Sequence, residues 1–289
     1  MSKPSLFWWD PRRSLKDFSS EMFNHSRSWR SLYLESGRFQ NFGDAFSPLA
    51  FELASGSLPR WAPARTADFL GIGSILSGHT VEKTNSFIWG SGIRNPMTVS
   101  SATNHERFLS VRGTMTNEHL GNPARILGEP GLLVYLLGLS RQLAKPNGLY
   151  IPHFTELNTT VGRKRLSRLR SVDLEIQLPT DHPIDVARRI LTSRYVLTSS
   201  LHGLVFAYAL GVPAYLSLDA VGESEFKYKD FLTLFEESIS PLSDLQIFDQ
   251  TWGLKSSSFR AEQEHRASLR VIKTHEISSQ LVKSLKSTL

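Results

Sequence analysis

Residues 194–218 read Arg194-Tyr195-Val196-Leu197-Thr198-Ser199-Ser200-Leu201-His202-Gly203-Leu204-Val205-Phe206-Ala207-Tyr208-Ala209-Leu210-Gly211-Val212-Pro213-Ala214-Tyr215-Leu216-Ser217-Leu218. The pattern predicts a strand over 194–200, a buried helix over 201–210 stopped by Gly211, and a second strand over 212–218 with Pro213 near its start. Two parallel neighbours joined by a helix form a right-handed crossover almost by necessity. Working outward, the compact apolar runs 68–74 and 86–92 suit strands buried on both faces of a parallel sheet. Further strands are expected at 108–113, 149–153 and 172–178. Helices are expected after the turn Asn41-Phe42-Gly43-Asp44, from Thr114 as cap through Leu120, over 131–145 and over 185–193. The last thirty residues, with Val271, Ile272, Ile277, Leu281 and Leu285, predict a closing amphipathic helix. The first forty are aromatic and irregular, with a short strand at Leu32-Tyr33-Leu34. The fold class is α/β, with two Rossmann-like domains, 1–122 and 123–289, facing a cleft.

At 289 residues, with 40% hydrophobic and 21% charged positions, the chain has the composition of a folded protein with a sizeable core. Cysteine is absent, which removes thiol nucleophiles, disulfide scaffolds and zinc ribbons and fits a reducing compartment. No apolar run reaches the roughly 18–20 residues of a spanning helix. Met1 to Asp10 lacks the features of a secretory leader, so the expected location is the cytoplasm. The net charge of +6 favours anionic partners. Part of the excess lies in the run Gly162 to Arg170, read as a solvated loop or helix face. It carries no argument for nucleic acid.

Ligands of parallel α/β domains gather where strands end and helices begin, because free N–H groups and the helix dipole favour negative charge there. Thr198-Ser199-Ser200-Leu201-His202-Gly203 is the strongest such place, joining hydroxyls, an imidazole and a close backbone at one point. The plain alternative makes the serines caps and His202 a satisfied core histidine. Arg112, before Gly113, offers a fork for carboxylate or phosphate, with a surface salt bridge as the equal alternative. Asn41 to Asp44 read by itself is a capped turn. His79 and His153 lie near expected strand or loop ends, where each alone is more often structural. Gly71-Ile72-Gly73-Ser74 lacks the full dinucleotide fingerprint, so no NAD is expected. No metal-binding motif and no hydrolase elbow are present, and His202 lies too close in sequence to Ser199 for a triad with Asp230.

Taken in order, Asn41-Phe42-Gly43-Asp44, Gly71 to Leu76, Trp89-Gly90-Ser91-Gly92, Val111-Arg112-Gly113, Leu127-Gly128-Glu129-Pro130, Ile151-Pro152-His153, Ser199 to Gly203 with Gly211-Val212-Pro213, and Lys227 to Phe231 resemble the polysaccharide pyruvyl transferase family. The resemblance covers about residues 41–231. It implies a GT-B-like arrangement and transfer of the enolpyruvyl unit of phosphoenolpyruvate onto two hydroxyls of a cell-surface sugar, giving a pyruvate ketal and phosphate without a cofactor or metal.

The donor residues it implies are Arg112, Ser199, Ser200, Leu201, His202, Gly203 and Lys227, with His202 and Arg112 catalytic. The acceptor side is expected from Asn41, Asp44, Gly73, Ser91 and His153. Two departures stand out: Ser200 replaces an arginine common in the family, and Glu129 replaces an aspartate. A lipid-linked acceptor would let the basic excess hold the enzyme at the inner membrane face. The other classes are a GT-B nucleotide-sugar glycosyltransferase, separable by the donor consumed, and a non-catalytic glycan-binding protein, separable by its indifference to phosphoenolpyruvate.

Overall fold

The computed structural model describes residues 3–10, 40–76, 81, 84–96, 104–142, 148–172, 174–219, 222, 224–248 and 257–289. The expected strand at Leu32-Tyr33-Leu34 and the residue His79 lie outside them. Among the described residues, two wholly parallel sheets organise the chain. The first comprises β1 (Ser5–Phe7), β2 (Arg60–Trp61), β3 (Phe69–Leu70), β4 (Phe87–Ser91) and β5 (Phe108–Val111), in the order β2-β1-β3-β4-β5. The second comprises β6 (Gly148–Ile151), β7 (Leu174–Ile176), β8 (Val196–Thr198) and β9 (Ala214–Leu216), in the order β7-β6-β8-β9. The expected crossover is present: β8 runs into the helix Leu201–Ala209, and β9 returns parallel with Val196, Leu197 and Thr198 opposite Ala214, Tyr215 and Leu216.

Strand order reverses between β1 and β3 and again between β6 and β8, so each sheet has a switch point where ligands of such sheets bind. β1 and the two-residue β2 are strands the sequence pattern missed, β1 because its three residues merge into an aromatic run. The β1 register is fixed by a reciprocal latch: Ser5 N and Oγ donate to Asp68 Oδ2 at 2.8 and 2.6 Å, and Asp68 N donates to Ser5 Oγ at 2.9 Å.

The helices in chain order are α1 (Phe42–Ala45), α2 (Ser47–Ser55), α3 (Thr114–His119), α4 (Phe154–Asn158), α5 (Thr160–Ser171), α6 (Pro183–Thr192), α7 (Leu201–Ala209), α8 (Phe226–Leu232), α9 (Asp244–Phe248) and α10 (Ser257–Lys286). Three expectations are corrected. Thr114 does not cap α3: Gly113 holds that position, and the Thr114 N–H goes to Thr233 Oγ1 at 3.0 Å. The apolar helix expected at 131–145 is a tight 3-10 helix, Pro130–Leu137, ended by the left-handed Gly138. Ile272 of α10 points outward, 60% exposed, because the buried stripe runs instead through Ala267, Arg270, Thr274, Ile277, Ser278, Leu281 and Leu285.

One apolar core joins Leu6, Phe46, Phe51 and Trp89 to Leu149, Val196, Phe206 and Leu281. α10 lies against α2, α7 and the 3-10 helix. The Trp89 indole donates to Leu281 O at 3.1 Å, and Gly128 permits this approach, since a Cβ there would stand 2.8 Å from Ile277 and 3.0 Å from Leu281. Leu281→Ala should therefore cost about 2–5 kcal/mol, read as a lower urea midpoint with an unchanged m-value.

Candidate active site

Helix α8 carries Lys227, Tyr228, Asp230 and Phe231 inward, and each grips a different part of the molecule. The Asp230 carboxylate accepts from Arg112 Nε at 2.9 Å, from Thr116 N at 2.8 Å and from Thr116 Oγ1 at 2.6 Å. Tyr228 OH donates to Ser199 O at 2.6 Å. Lys227 Nζ lies 3.3 Å from His153 Nε2. One short helix thus ties the end of β5 to the loops that follow β6 and β8. Gly113 makes the approach possible, because a Cβ there would stand 1.9 Å from Asp230 O.

Arg112 does not reach toward solvent as expected. It is fully buried, with Nη1 on Ser74 Oγ at 2.6 Å and Nη2 on Ile93 O at 2.7 Å in addition to its Asp230 bond. The surface salt bridge of the alternative reading is not found either: the ion pair is interior, where a desolvated guanidinium needs such acceptors.

The serine cluster divides in the same way. Ser200 caps α7 by accepting from Gly203 N at 3.4 Å, and Leu201 begins the helix. Ser199 is turned into a second buried network. Its Oγ donates to Glu156, contacts Tyr150 OH at 3.1 Å and receives His153 N at 2.6 Å. Arg165 closes that network, pairing with Glu156 at 3.0 Å and Asp244 at 2.7 Å and contacting Tyr150 and Ser217. The basic run 162–170 is therefore not wholly a solvated face. Arg165 follows the buried spacing of Gly162, Leu166 and Leu169, a pattern legible in the sequence. Burial and the neighbouring Glu156 carboxylate push the Tyr150 hydroxyl above its ordinary range. Ser91 likewise serves the interior, donating to Gly71 O.

Around His202 the packing is closest. A Cβ on Gly43 would lie 1.9 Å from the imidazole ring, so the α1 turn rests directly on it, with the Phe42 ring edge-on at 6.3 Å. Asn41 Oδ1 caps that turn at Gly43 N, 3.3 Å away, and Phe42 N donates to Pro179 O at 2.9 Å. The Asp44 carboxylate then falls beside Gly73, whose backbone at φ 121° leaves the space; a Cβ there would be 2.9 Å from Asp44 Oδ1. His202 Nε2 is buried without a partner, as is Glu129 Oε2.

Burial, with Lys227 and Arg112 nearby, pushes His202 down to about 3, so its imidazole is neutral at pH 7. Burial and Glu129 push Asp44 up to about 8 against Lys227 and Arg94. Burial and Asp230 raise Glu129 to about 7, opposed by Arg112 and the Gly131 N–H.

Residual exposure differs slightly across the cluster. Asp44, His153 and His202 each keep 7%, Lys227 6%, Leu201 5% and Ser200 4%, whereas Arg112, Glu129, Asp230, Ser199 and Ser91 keep none. Asp44, His153, His202 and Lys227 are thus buried but for a small remainder, and Arg112, Glu129 and Asp230 completely. Sequence reasoning missed Asp230 as the partner of Arg112, although its spacing of three from Lys227 places both on one helix face. Glu129 was noticed only for its charge. Glu156 and Tyr150 gave no local signal, since their partners lie up to 49 residues away. Among the described residues no group of three or more acidic or histidine side chains is placed to hold a metal ion, and no helix is long and apolar enough to cross a membrane.

The carboxyl-terminal ends of β5, β6 and β8 thus meet around buried cations and the N-terminus of α7 in an α/β protein with parallel sheets. The family model for polysaccharide pyruvyl transferase matches residues 55–217, more than half of the chain, and the chain belongs to that family, which implies a transferase. An uncharacterized protein of Acanthamoeba polyphaga mimivirus is 30% identical over 116 residues. That stretch covers 38% of this chain and 39% of the viral one, so the chain spans about two fifths of this relative.

The electrostatics predict a pH signature. A carboxyl raised from its unfolded value near 3.8 to about 8 contributes its full stability below about pH 4 and loses it as pH rises toward 8. Asp44→Asn should gain stability relative to the wild type across that interval in urea unfolding at a series of pH values. A constant difference is the contrary result. Asp230→Ala should cost about 3–5 kcal/mol by stranding Arg112, and Arg112→Met combined with Asp230→Leu should recover much of the loss in the same measurement.

Proposed function

We propose that the protein is a phosphoenolpyruvate-dependent pyruvyl transferase that converts two hydroxyls of a sugar in a surface polysaccharide or its precursor into a pyruvate ketal, releasing phosphate. The two sheets then serve as Rossmann-like halves of a GT-B-like arrangement divided near residue 122. The observation that carries the reading is the convergence of Lys227, His153 and His202 with the α7 N-terminus, all keeping a little exposure, in a chain of this family.

Phosphoenolpyruvate bears a carboxylate and a phosphate and needs several fixed donors. Lys227 supplies a charge, His153 a ring nitrogen at 3.3 Å from it, and the first turn of α7 from Ser200 to Gly203 its helix dipole. In this reading Lys227 takes the part of the arginine that Ser200 replaces. Arg112 contributes field from behind and holds Asp230 rather than touching the donor. A neutral His202 suits hydrogen bonding to the phosphate or to a sugar hydroxyl, and a bound dianion would draw its proton affinity upward. Asn41 shapes the α1 turn that presents Asp44, and Gly73 leaves room for it. The acceptor sugar is proposed to approach from this side. A lipid-linked acceptor and an inner-membrane location belong to the same proposal.

The deciding experiment offers phosphoenolpyruvate and a panel of nucleotide sugars to the protein with sugar acceptors. Release of phosphate, with a pyruvate ketal on the product by mass spectrometry, supports the reading; release of a nucleoside diphosphate instead makes it a glycosyltransferase. Lys227→Met should weaken phosphoenolpyruvate binding about 10- to 100-fold, as expected for loss of a charged hydrogen bond. His202→Ala should abolish transfer while the protein stays folded.

A further inference from the structure

The basic run 162–170 forms most of α5, and the buried networks described above take up only its Arg165. At about 100° per residue, Gly162, Arg165, Leu166 and Leu169 make up the inner side of this helix. Arg163 and Arg170 then line one edge of the outer side and Lys164 and Arg168 the other, with only threonine and serine between them. All four cations are exposed. No acidic residue occurs from Leu157 to Val172.

Several exposed cations of other helices are balanced by a carboxylate one turn away: Arg188 by Asp185, Lys229 by Glu225 and Arg266 by Glu262. Among the described residues no carboxylate pairs with Arg163, Lys164, Arg168 or Arg170. Arg163 donates to Leu157 O at 3.1 Å, and the Arg168 guanidinium lies 3.8 Å over the Phe248 ring of α9. The outer face of α5 is therefore positive and unneutralised.

The same face is tied to the candidate site. α4 begins directly after His153 and α5 follows it, so α5 starts at the carboxyl-terminal end of β6 and leads back to β7. Inside, Arg165 pairs with Glu156, which accepts from Ser199 Oγ, and that hydroxyl holds the His153 N–H. Val161 in the first turn of α5 is 69% exposed. Leu245 on α9, which the Arg165–Asp244 pair joins to α5, is 71% exposed.

We propose that the outer face of α5 docks on an anionic lipid surface, with headgroup phosphates lying in the hydroxyl-lined strip between its two rows of cations. Four to eight Lys and Arg side chains on such a helix suit anionic membranes, each cation strengthening attachment about fivefold. The charge alone would equally suit a nucleic-acid backbone. The exposed valine and leucine, and the lack of any aromatic side chain on α5 for a base to stack on, favour lipid. Docking would bring a lipid-linked acceptor to the site, a purpose that rests on the pyruvyl-transfer reading, whereas the attachment rests on α5 itself.

The test is co-sedimentation of the full chain with vesicles of phosphatidylcholine, alone or mixed with phosphatidylglycerol, over a salt series. Wild type should bind the anionic vesicles, release them as salt rises and ignore the neutral ones. Lys164→Gln with Arg170→Gln, two side chains without a hydrogen bond among the described residues, should weaken binding about 25-fold, at about fivefold per charge. Lys283→Gln with Lys286→Gln removes the same charge from exposed positions of α10 and should leave binding nearly unchanged. Equal losses in the two pairs would show attraction by net charge alone and overturn the proposal. So would failure to bind anionic vesicles, or tighter binding of a short single-stranded RNA than of vesicles at equal phosphate and salt. Vesicle binding by a wild type that releases no phosphate from phosphoenolpyruvate overturns the pyruvyl-transfer reading and leaves the docking in place; phosphate release without vesicle binding overturns the docking alone.

Discussion

The buried pair of Arg112 and Asp230 is the constraint on which the rest of the arrangement depends. Neither side chain has any exposure, and each is supplied with partners beyond the other: Ser74 and Ile93 for the guanidinium, Thr116 for the carboxylate. Such a pair stabilises little in net terms, yet removing one member is severe because the other is left desolvated and alone. What it secures is place. It brings α8 against the end of β5, and α8 in turn presents Lys227 to His153 and Tyr228 to the backbone of Ser199.

The cluster holds an unequal distribution of charge. Lys227 and Arg94 act on Asp44, and Lys227 and Arg112 act on His202. The outcome is a neutral carboxylic acid and a neutral imidazole beside a lysine. The second network, from Arg165 through Glu156 and Tyr150 to Ser199, does no charge selection. It fixes the His153 backbone through the Ser199 hydroxyl, a supporting role of the kind precise sites require.

Much of the fold was legible because burial in parallel sheets imposes continuous apolar runs that glycine and serine then stop. The unit from Val196 to Leu216 and the long helix from Ser257 were readable for that reason. β1 was not, since three residues carry no period. Nor was the 3-10 helix after Glu129, whose apolar run imitates an α-helix. At the candidate site, His202, Lys227 and Asp44 were named from strand ends and family-like motifs. The inward turns of Arg112, Ser199 and Ser91 were hidden, because which way a polar side chain points depends on partners remote in the chain. Arg112 and Asp230 are separated by 118 residues, and no local pattern reports such a pairing.

The seven residues of α8 grip both sheets at once, through Asp230 on one side and through Lys227 and Tyr228 on the other. A hinge rotation of one half against the other would have to strip Arg112 of its carboxylate or pull the tyrosine from its carbonyl, each a steep cost in a dry interior. This chain is accordingly riveted between its two sheets, where many two-lobed enzymes bend.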